Sequence, residues 1–287
     1  MTVPVLENLS ALAERYDVIF SDVWGVVHNG LQAHPAAGEA LTAFRNRGGV
    51  VVMISNAPRP QWSVIEQLNA LGVVPSAYDA VVTSGDVTHD LALQQPDPHC
   101  FHIGAPKDEH LFQNLPVKRV ALDRASFAIC TGLHDDEVQT AEDYREIVAA
   151  LRERNIPMIC ANPDLVVERG HMLIPCAGAI AALYEDIGGT VIQAGKPFPP
   201  IYAATYAKAA ELLDSPPDKS RILAIGDAIR TDVAGAAAFG IDCVFLSEGI
   251  HASELHDAQG NLCRDRLEPF IGRQTFTPAA VMQKLIW

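Results

Sequence analysis

LAIGDAIRTDVAGAAAFG, residues 223–240, runs from an apolar segment through Gly226 and Asp227 into an alanine-rich stretch that stops at Gly240. Extended back to Arg221, its first part reads as a strand ending on Asp227, and residues 230–239 read as a helix with Asp232 at its start. A strand that turns at once into a helix is the repeating unit of a sheet covered by helices. The same grammar recurs upstream. YDVIFSDV (16–23) reads as a first strand, and GVVVMIS (49–55) as a second, continuously apolar and so suited to burial on both faces. Between them a helix is expected over 36–47, with Pro35 at its start and Gly48-Gly49 at its end.

Further out, a helix near 60–71, a strand at 80–84 and a helix at 86–95 continue the alternation. QQPDPH (94–99) interrupts it with two prolines and reads as a hinge. Beyond it come a strand at CFHIG (100–104), a helix near 107–114 and a strand at FAICTG (127–132). Thr140 and Asp143 then form a capping-box pattern ahead of a helix whose apolar stripe is Tyr144, Ile147, Val148 and Leu151. PMICAN (157–162), HMLIP (171–175) and a helix at 177–187 lead to Gly188-Gly189. TVIQAG (190–195) and a helix at 199–213 precede the opening stretch. DCVFLS (242–247) and a helical C-terminal stretch follow it. The expected architecture is α/β. A Rossmann-like, doubly wound parallel core of residues 1–96 and 190–287 is interrupted by an inserted α/β lobe, 97–189. No repeat or low-complexity tract is evident.

At 287 residues the chain can bury such a core and a smaller lobe as well. Its 35 acidic and 21 basic residues leave a net charge of −14, which repels nucleic acid and anionic membranes. A phosphate site must therefore draw its positive potential from a metal, a lysine or helix N-termini. MTVPVLENLSALAERYD lacks the pattern of a secretion signal, and no run approaches the ~20 apolar residues of a membrane span. Cys100, Cys130, Cys160, Cys176, Cys243 and Cys263 are scattered, several inside strand-like runs. Buried, reduced thiols in a cytoplasmic protein are expected.

Four features fall where strands end, the ligand-binding edge of open α/β sheets. Asp22, in FSDVWGVVHNG, can serve as nucleophile or metal ligand, although an isolated D-x-x-G more often marks a capped turn. Ser55 offers a hydroxyl, and Asn56 a backbone N–H, to a phosphoryl oxygen. The ordinary alternative is a strand-to-helix cap. Lys196, in QAGKPFPP, is presented from a proline-stiffened stem, but it lacks a P-loop's spacing and reads equally as a surface lysine. Asp227 and Asp232 stand five residues apart. Buried carboxylates that close repel unless a cation or a lysine compensates them, and Mg²⁺ prefers such oxygen ligands. Asp232 alone would suit a helix N-terminus.

Taken in order, Asp22, Ser55, Lys196 and the G-D-x-x-x-x-D of 226–232 resemble the motifs of the haloacid dehalogenase superfamily over nearly the whole chain. The insertion resembles its class II cap. CANPD (160–164), PCAGAIAALYE (175–185) and GKP are similar to the class IIA subgroup of NagD-type and 4-nitrophenylphosphatase-like enzymes. The resemblance implies Asp22 as a nucleophile that forms an aspartyl-phosphate, Ser55 and Lys196 as holders of the transferring group, and Asp227 as a Mg²⁺ ligand. It implies Asp232 as the acid that orients Lys196 or a metal-bound water. Asn162 and Asp164 fall where family caps reach the substrate, but around Pro163 they equally suit a simple turn. The resemblance also leaves room for a homodimer.

One position departs from the pattern. The family's phosphatases carry D-x-D in the first motif, where this chain has Asp22-Val23-Trp24. The resemblance assigns the second Asp to protonating the leaving group and activating water, help worth about 10²–10⁴-fold in rate. Indole does neither. The metal ligand at that position is a backbone carbonyl, which Trp24 still offers. His28 is a candidate substitute acid, against a structural histidine. The expected function is a Mg²⁺-dependent hydrolase of small phosphate esters, of the sugar phosphate, nucleotide or glycerol phosphate class. The rival is a binding protein for a phosphorylated metabolite or a partner, impaired in turnover by Trp24.

Overall fold

A computed structural model describes residues 3–169 and 172–287. The chain divides into two compact units. One runs to Ser55, resumes over Ile65–Val82 and again from Tyr202. The other comprises Asn56–Val64 and Thr83–Ile201.

The first unit holds β1 (Val5–Leu6), β2 (Val18–Asp22), α1 (Pro35–Asn46) and β3 (Val50–Ser55). α2 (Gln61–Leu71) begins in the second unit and ends in the first, and β4 (Ala80–Thr83) closes this part. Pro35 opens α1 as expected, with its fixed φ suited to the first helical turn. β2 is buried along its whole length, and β3 from its second residue on, as the interior of a sheet covered on both faces requires.

α3 (Ser84–Leu93) opens the main part of the second unit. Its strands are β5 (His99–Ile103), β6 (Lys118–Arg119), β7 (Phe127–Cys130), β8 (Met158–Cys160), β9 (Val166–Arg169), β10 (Met172–Pro175) and β11 (Val191–Gln193). Its other helices are α4 (Arg145–Glu153) and α5 (Ala177–Asp186). Five strands form a parallel sheet in the order β11-β8-β7-β5-β6, and β9 and β10 make a separate antiparallel hairpin. The expected strand at 171–175 is β10 from Met172 onward, and residue 171 lies outside the described residues. Cys130, Met158, Cys160, Leu151 and Tyr184 belong to one apolar layer, and Cys100, Leu111, Phe127, Ile129 and Ile159 to another. The capping box read at Thr140 and Asp143 is present and opens a short 3-10 turn that runs into α4.

α6 (Pro199–Leu212) returns the chain to the first unit. β12 (Ile222–Gly226), α7 (Ala234–Phe239), β13 (Asp242–Leu246), α8 (Ala252–Leu255), α9 (Arg264–Gly272) and β14 (Ala280–Met282) follow. The core sheet has the order β1-β14-β13-β12-β2-β3-β4. From β2 the chain winds one way to β3 and β4, and the returning segment winds the other way from β12. β2 and β12 pair in parallel at this reversal, with Ser21 opposite Ile225. The doubly wound parallel fold is therefore as expected.

The boundaries differ from the expected 96/97 and 189/190. α3 packs with β8, so the main part of the second unit begins at Thr83, before the two prolines, and Asn56–Val64 also belongs to that unit. β11 pairs with β8 rather than with the core sheet, so that unit extends to Ile201. β1, β6, β9 and β14 were not foreseen. Two to four residues are too few for a readable period, and pairing decides whether they become strands. Five of the six cysteines are buried, and burial pushes the Cys100 thiol up to about 11 and Cys130 to about 12. No helix among the described residues is long and apolar enough to cross a membrane.

Candidate active site

Asp22 ends β2, and Asp227 follows the last residue of β12, so the strand pairing itself sets the two carboxylates side by side at the reversal point. Asp232 joins them from a π-helical turn, Ile229–Val233, that follows β12. Such wide turns recur at functional sites because they re-aim a side chain without ending the helix. One ligand oxygen from each of the three lies within 4.8 Å of the others, and all three residues are buried.

Backbone amides aim these carboxylates. Val23 N–H donates to Asp22 Oδ1 at 2.7 Å, Ile250 N–H to Asp227 Oδ2 at 2.9 Å and Ala228 N–H to Asp232 Oδ2 at 3.2 Å. Tyr202 O–H donates to the Asp232 carbonyl at 3.3 Å. Three glycines leave the room. A Cβ on Gly25 would lie 2.1 Å from Asp227 Oδ2, and Gly25 also has φ +82°, which disfavours any other residue. A Cβ on Gly226 would lie 2.1 Å from Asp232 Cγ, and one on Gly249 2.0 Å from Asp227 Oδ2. Gly249 and Ile250 were not foreseen, although a glycine just past the DCVFLS strand was the available signal.

An oxygen-only donor set of three crowded, buried carboxylates suits a hard divalent cation such as Mg²⁺ and does not suit zinc, which favours nitrogen and sulfur. The proximity argues the same way, because carboxylates this close call for compensating positive charge, which a divalent cation supplies.

The segment after Asp22 folds back on itself. Gly25 N–H donates to the His28 carbonyl at 2.8 Å, and the Trp24 and His28 rings meet edge to face with centroids 5.1 Å apart. Trp24 also lies against Gly30, where a Cβ would come within 2.5 Å of Cζ2. His28 is 1% exposed, and its Nδ1 accepts the Gly30 N–H at 2.9 Å. That bond places the proton of the neutral ring on Nε2, where it is a hydrogen-bond donor. The structural reading of His28 is therefore the better one.

Ser55 ends β3 and is 6% exposed. The remaining candidates belong to the second unit: Asn56 directly follows β3, Asn162 and Asp164 follow β8, and Lys196 follows β11. Asn56 Nδ2 donates to Asp164 Oδ1 at 3.0 Å and to the Lys196 carbonyl at 3.1 Å, while its Oδ1 accepts the Lys196 N–H at 2.6 Å. Asn162 Oδ1 accepts the Asp164 N–H at 3.0 Å and closes a turn through Pro163. Asn56, Asn162, Asp164 and Lys196 thus form one mesh about the Lys196 backbone, and Lys196 is only 2% exposed. Gly195 is obligatory there, since a Cβ would stand 2.3 Å from Asn56 Oδ1.

A second polar cluster in this unit was not read from the sequence. Thr131 Oγ1 donates to Asp108 Oδ2 at 2.9 Å, and His102 Nε2 lies 3.0 Å from the same hydroxyl. Burial, with a smaller push from the Arg119 charge, lowers His102 to about 4. Burial also raises Asp108 and lowers Arg59, and each one's charge partly offsets the effect on the other. These residues are spread over three segments with no motif spacing.

A family model described as haloacid dehalogenase-like hydrolase matches residues 19–118, and a second, HAD-hydrolase-like, matches 193–268. An acid sugar phosphatase of Staphylococcus saprophyticus is 24% identical over 244 residues, covering 84% of this chain and 90% of its own. A crystal structure of a glycerol phosphate phosphatase from Mycobacterium tuberculosis, in complex with magnesium, superposes with a TM-score of 0.67 at 23% identity, covering 95% of this chain and 77% of that one. A crystal structure of a haloacid dehalogenase-like family hydrolase from Brucella suis superposes with a TM-score of 0.87 at 45% identity, covering 98% of this chain and 100% of that one. Matched over essentially its full length at that identity, this chain belongs to the haloacid dehalogenase-like hydrolases.

Proposed function

We propose that this chain is a Mg²⁺-dependent phosphatase that removes the phosphoryl group of a small phosphorylated metabolite by way of an aspartyl-phosphate on Asp22. The observation that carries the reading is the group of Asp22, Asp227 and Asp232 at the reversal point of the core sheet. Bound there, Mg²⁺ supplies positive charge that lets an anionic carboxylate approach an anionic phosphoryl group. Asp22, Asp227 and the backbone carbonyl of Trp24 would hold it.

The chain's own residues do the rest. A carboxylate oxygen of Asp22 attacks phosphorus, and Val23 N–H on Oδ1 fixes its orientation. The Ser55 hydroxyl and the Asn56 backbone N–H hold phosphoryl oxygens. Lys196 balances their charge, from a backbone that the Asn56 side chain clamps at both N–H and carbonyl. Asp232 orients charge at the site. Asn162 and Asp164 support the substrate side through the turn they share. The second unit, which interrupts the core sequence, acts as the cap that selects substrate and excludes water. The buried thiols and the net charge of −14 support a cytoplasmic setting without nucleic acid or membrane partners, and the cap is where a homodimer contact would form.

Sugar phosphates, glycerol phosphate, nucleotides, 4-nitrophenyl phosphate and an acyl phosphate form the panel that tests this. The wild type should release phosphate from some of them with Mg²⁺ and none with EDTA, and Asp22→Asn should abolish release. Micromolar binding of a phosphorylated compound without turnover would overturn the reading in favour of a binding protein.

A further inference from the structure

We propose that the phosphoryl group transferred at Asp22 sits on an oxygen acidic enough to depart without a proton: an aryl, enol or acyl phosphate, rather than an alkyl phosphate. The inference rests on the reading of Asp22 as the attacking group and narrows its substrates.

Attack forms a bond from an Asp22 carboxylate oxygen to phosphorus and breaks the bond from phosphorus to the leaving oxygen, which takes the electron pair. Water then attacks the aspartyl-phosphate, restoring the carboxylate and passing its proton to phosphate or solvent. Only the first half depends on the leaving group. An alkoxide is strongly basic and needs a proton as it departs, whereas a phenolate, enolate or carboxylate does not. A positioned acid is worth about 10²–10⁴-fold in rate for the former and little for the latter.

The chain after Asp22 supplies no such acid. Val23, Trp24, Gly25, Val26, Val27 and His28 offer one indole and one imidazole, and otherwise only apolar groups. The indole N–H is a hydrogen-bond donor that does not surrender its proton. The Trp24 ring is also held against Gly30 and the edge of His28. His28 is buried, with Nδ1 committed to the Gly30 N–H. Of the two carboxylates gathered with Asp22, Asp227 would hold the cation, and Asp232 accepts the Ala228 N–H at 3.2 Å and orients charge at the site.

The test is a leaving-group series on the full chain with Mg²⁺. Substituted phenyl phosphates span leaving-group acidity, and benzyl phosphate supplies a ring of similar size on an alkyl oxygen. The kcat/KM for 4-nitrophenyl phosphate should exceed that for benzyl phosphate by about a thousandfold or more. Trp24→Asp should raise benzyl phosphate turnover by about 10²-fold and flatten the series. If the wild type handles the two within about tenfold, and Asp22→Asn abolishes both, an acid reaches the leaving group from elsewhere. The inference then falls while the phosphatase reading stands. No turnover of any member by the wild type would remove both together. Should Trp24→Asp not fold, the wild-type series still decides.

Discussion

Asp22, Asp227 and Asp232 each bring a carboxylate oxygen within 4.8 Å of the others. Carboxylates this close repel unless positive charge, from Lys196 or a cation, compensates them. Asp227→Asn keeps an oxygen for the Ile250 N–H but removes one charge. The rise in melting temperature that Mg²⁺ gives the wild type should largely vanish. Calorimetry in EDTA and in Mg²⁺ checks this, and an equal Mg²⁺-dependent rise in the variant would show that Asp227 does not hold the cation. Asp22, Ser55, Lys196, Asp227 and Asp232 were legible as candidates because each follows a strand-like run. Gly249 was not, because its importance lies in the 2.0 Å a Cβ would leave to Asp227, a distance between residues far apart in the chain.

Among the elements, α3 shows local and tertiary causes acting together. Thr83 caps it, accepting the Asp86 N–H at 3.0 Å and donating to Asp86 Oδ2 at 2.8 Å. Asp86 Oδ1 also accepts the Gln61 N–H at 3.1 Å, so the cap ties the start of α2 to the start of α3. Burial raises the Asp86 carboxyl, and the bonds from Gln61 and Thr83 oppose that. Thr83→Ala should cost about 0.5–2 kcal/mol in urea denaturation, toward the upper end because the hydroxyl is fully buried. A change below ~0.5 kcal/mol would mean that the box adds little beyond packing. A Thr-x-x-Asp pattern stands in the sequence here, yet the helix expected at 86–95 begins at Ser84, because a cap is recognisable only once the next turn is known to be helical.

At the scale of the whole molecule, stability should depend on pH through the buried polar cluster of the second unit. His102 is depressed to about 4, so the unfolded chain binds a proton that the folded chain refuses. Its contribution is fully present above pH ~6.5 and is lost as pH falls toward 4, by up to about 3 kcal/mol. The unfolding free energy should fall over that window, and His102→Gln should make the fall shallower. Equal slopes for variant and wild type from pH 7 to 4 would contradict the assignment. Carboxylates held low by partners, such as Asp136 beside Arg169 and Lys107, add losses in the same direction at lower pH.

By itself the sequence determined the α/β class, the doubly wound alternation and the family. Apolar runs, glycines and capping residues act over a few neighbours, and the motif residues keep their order along the chain. It also showed Trp24 where a carboxylate was expected, and so posed the question of the leaving group. Tertiary structure alone decided which sheet receives β11, that the second unit takes in Asn56–Val64 and resumes at Thr83, and that His28 is tied to Gly30. To Asn56, read from the sequence as a backbone N–H for a phosphoryl oxygen or as part of a cap, it added a side-chain clamp on the Lys196 backbone. The physical reason is common to these cases. Pairing, burial and close approach are properties of residues brought together across the chain, and local composition does not encode which partner a strand edge or a side-chain amide will meet.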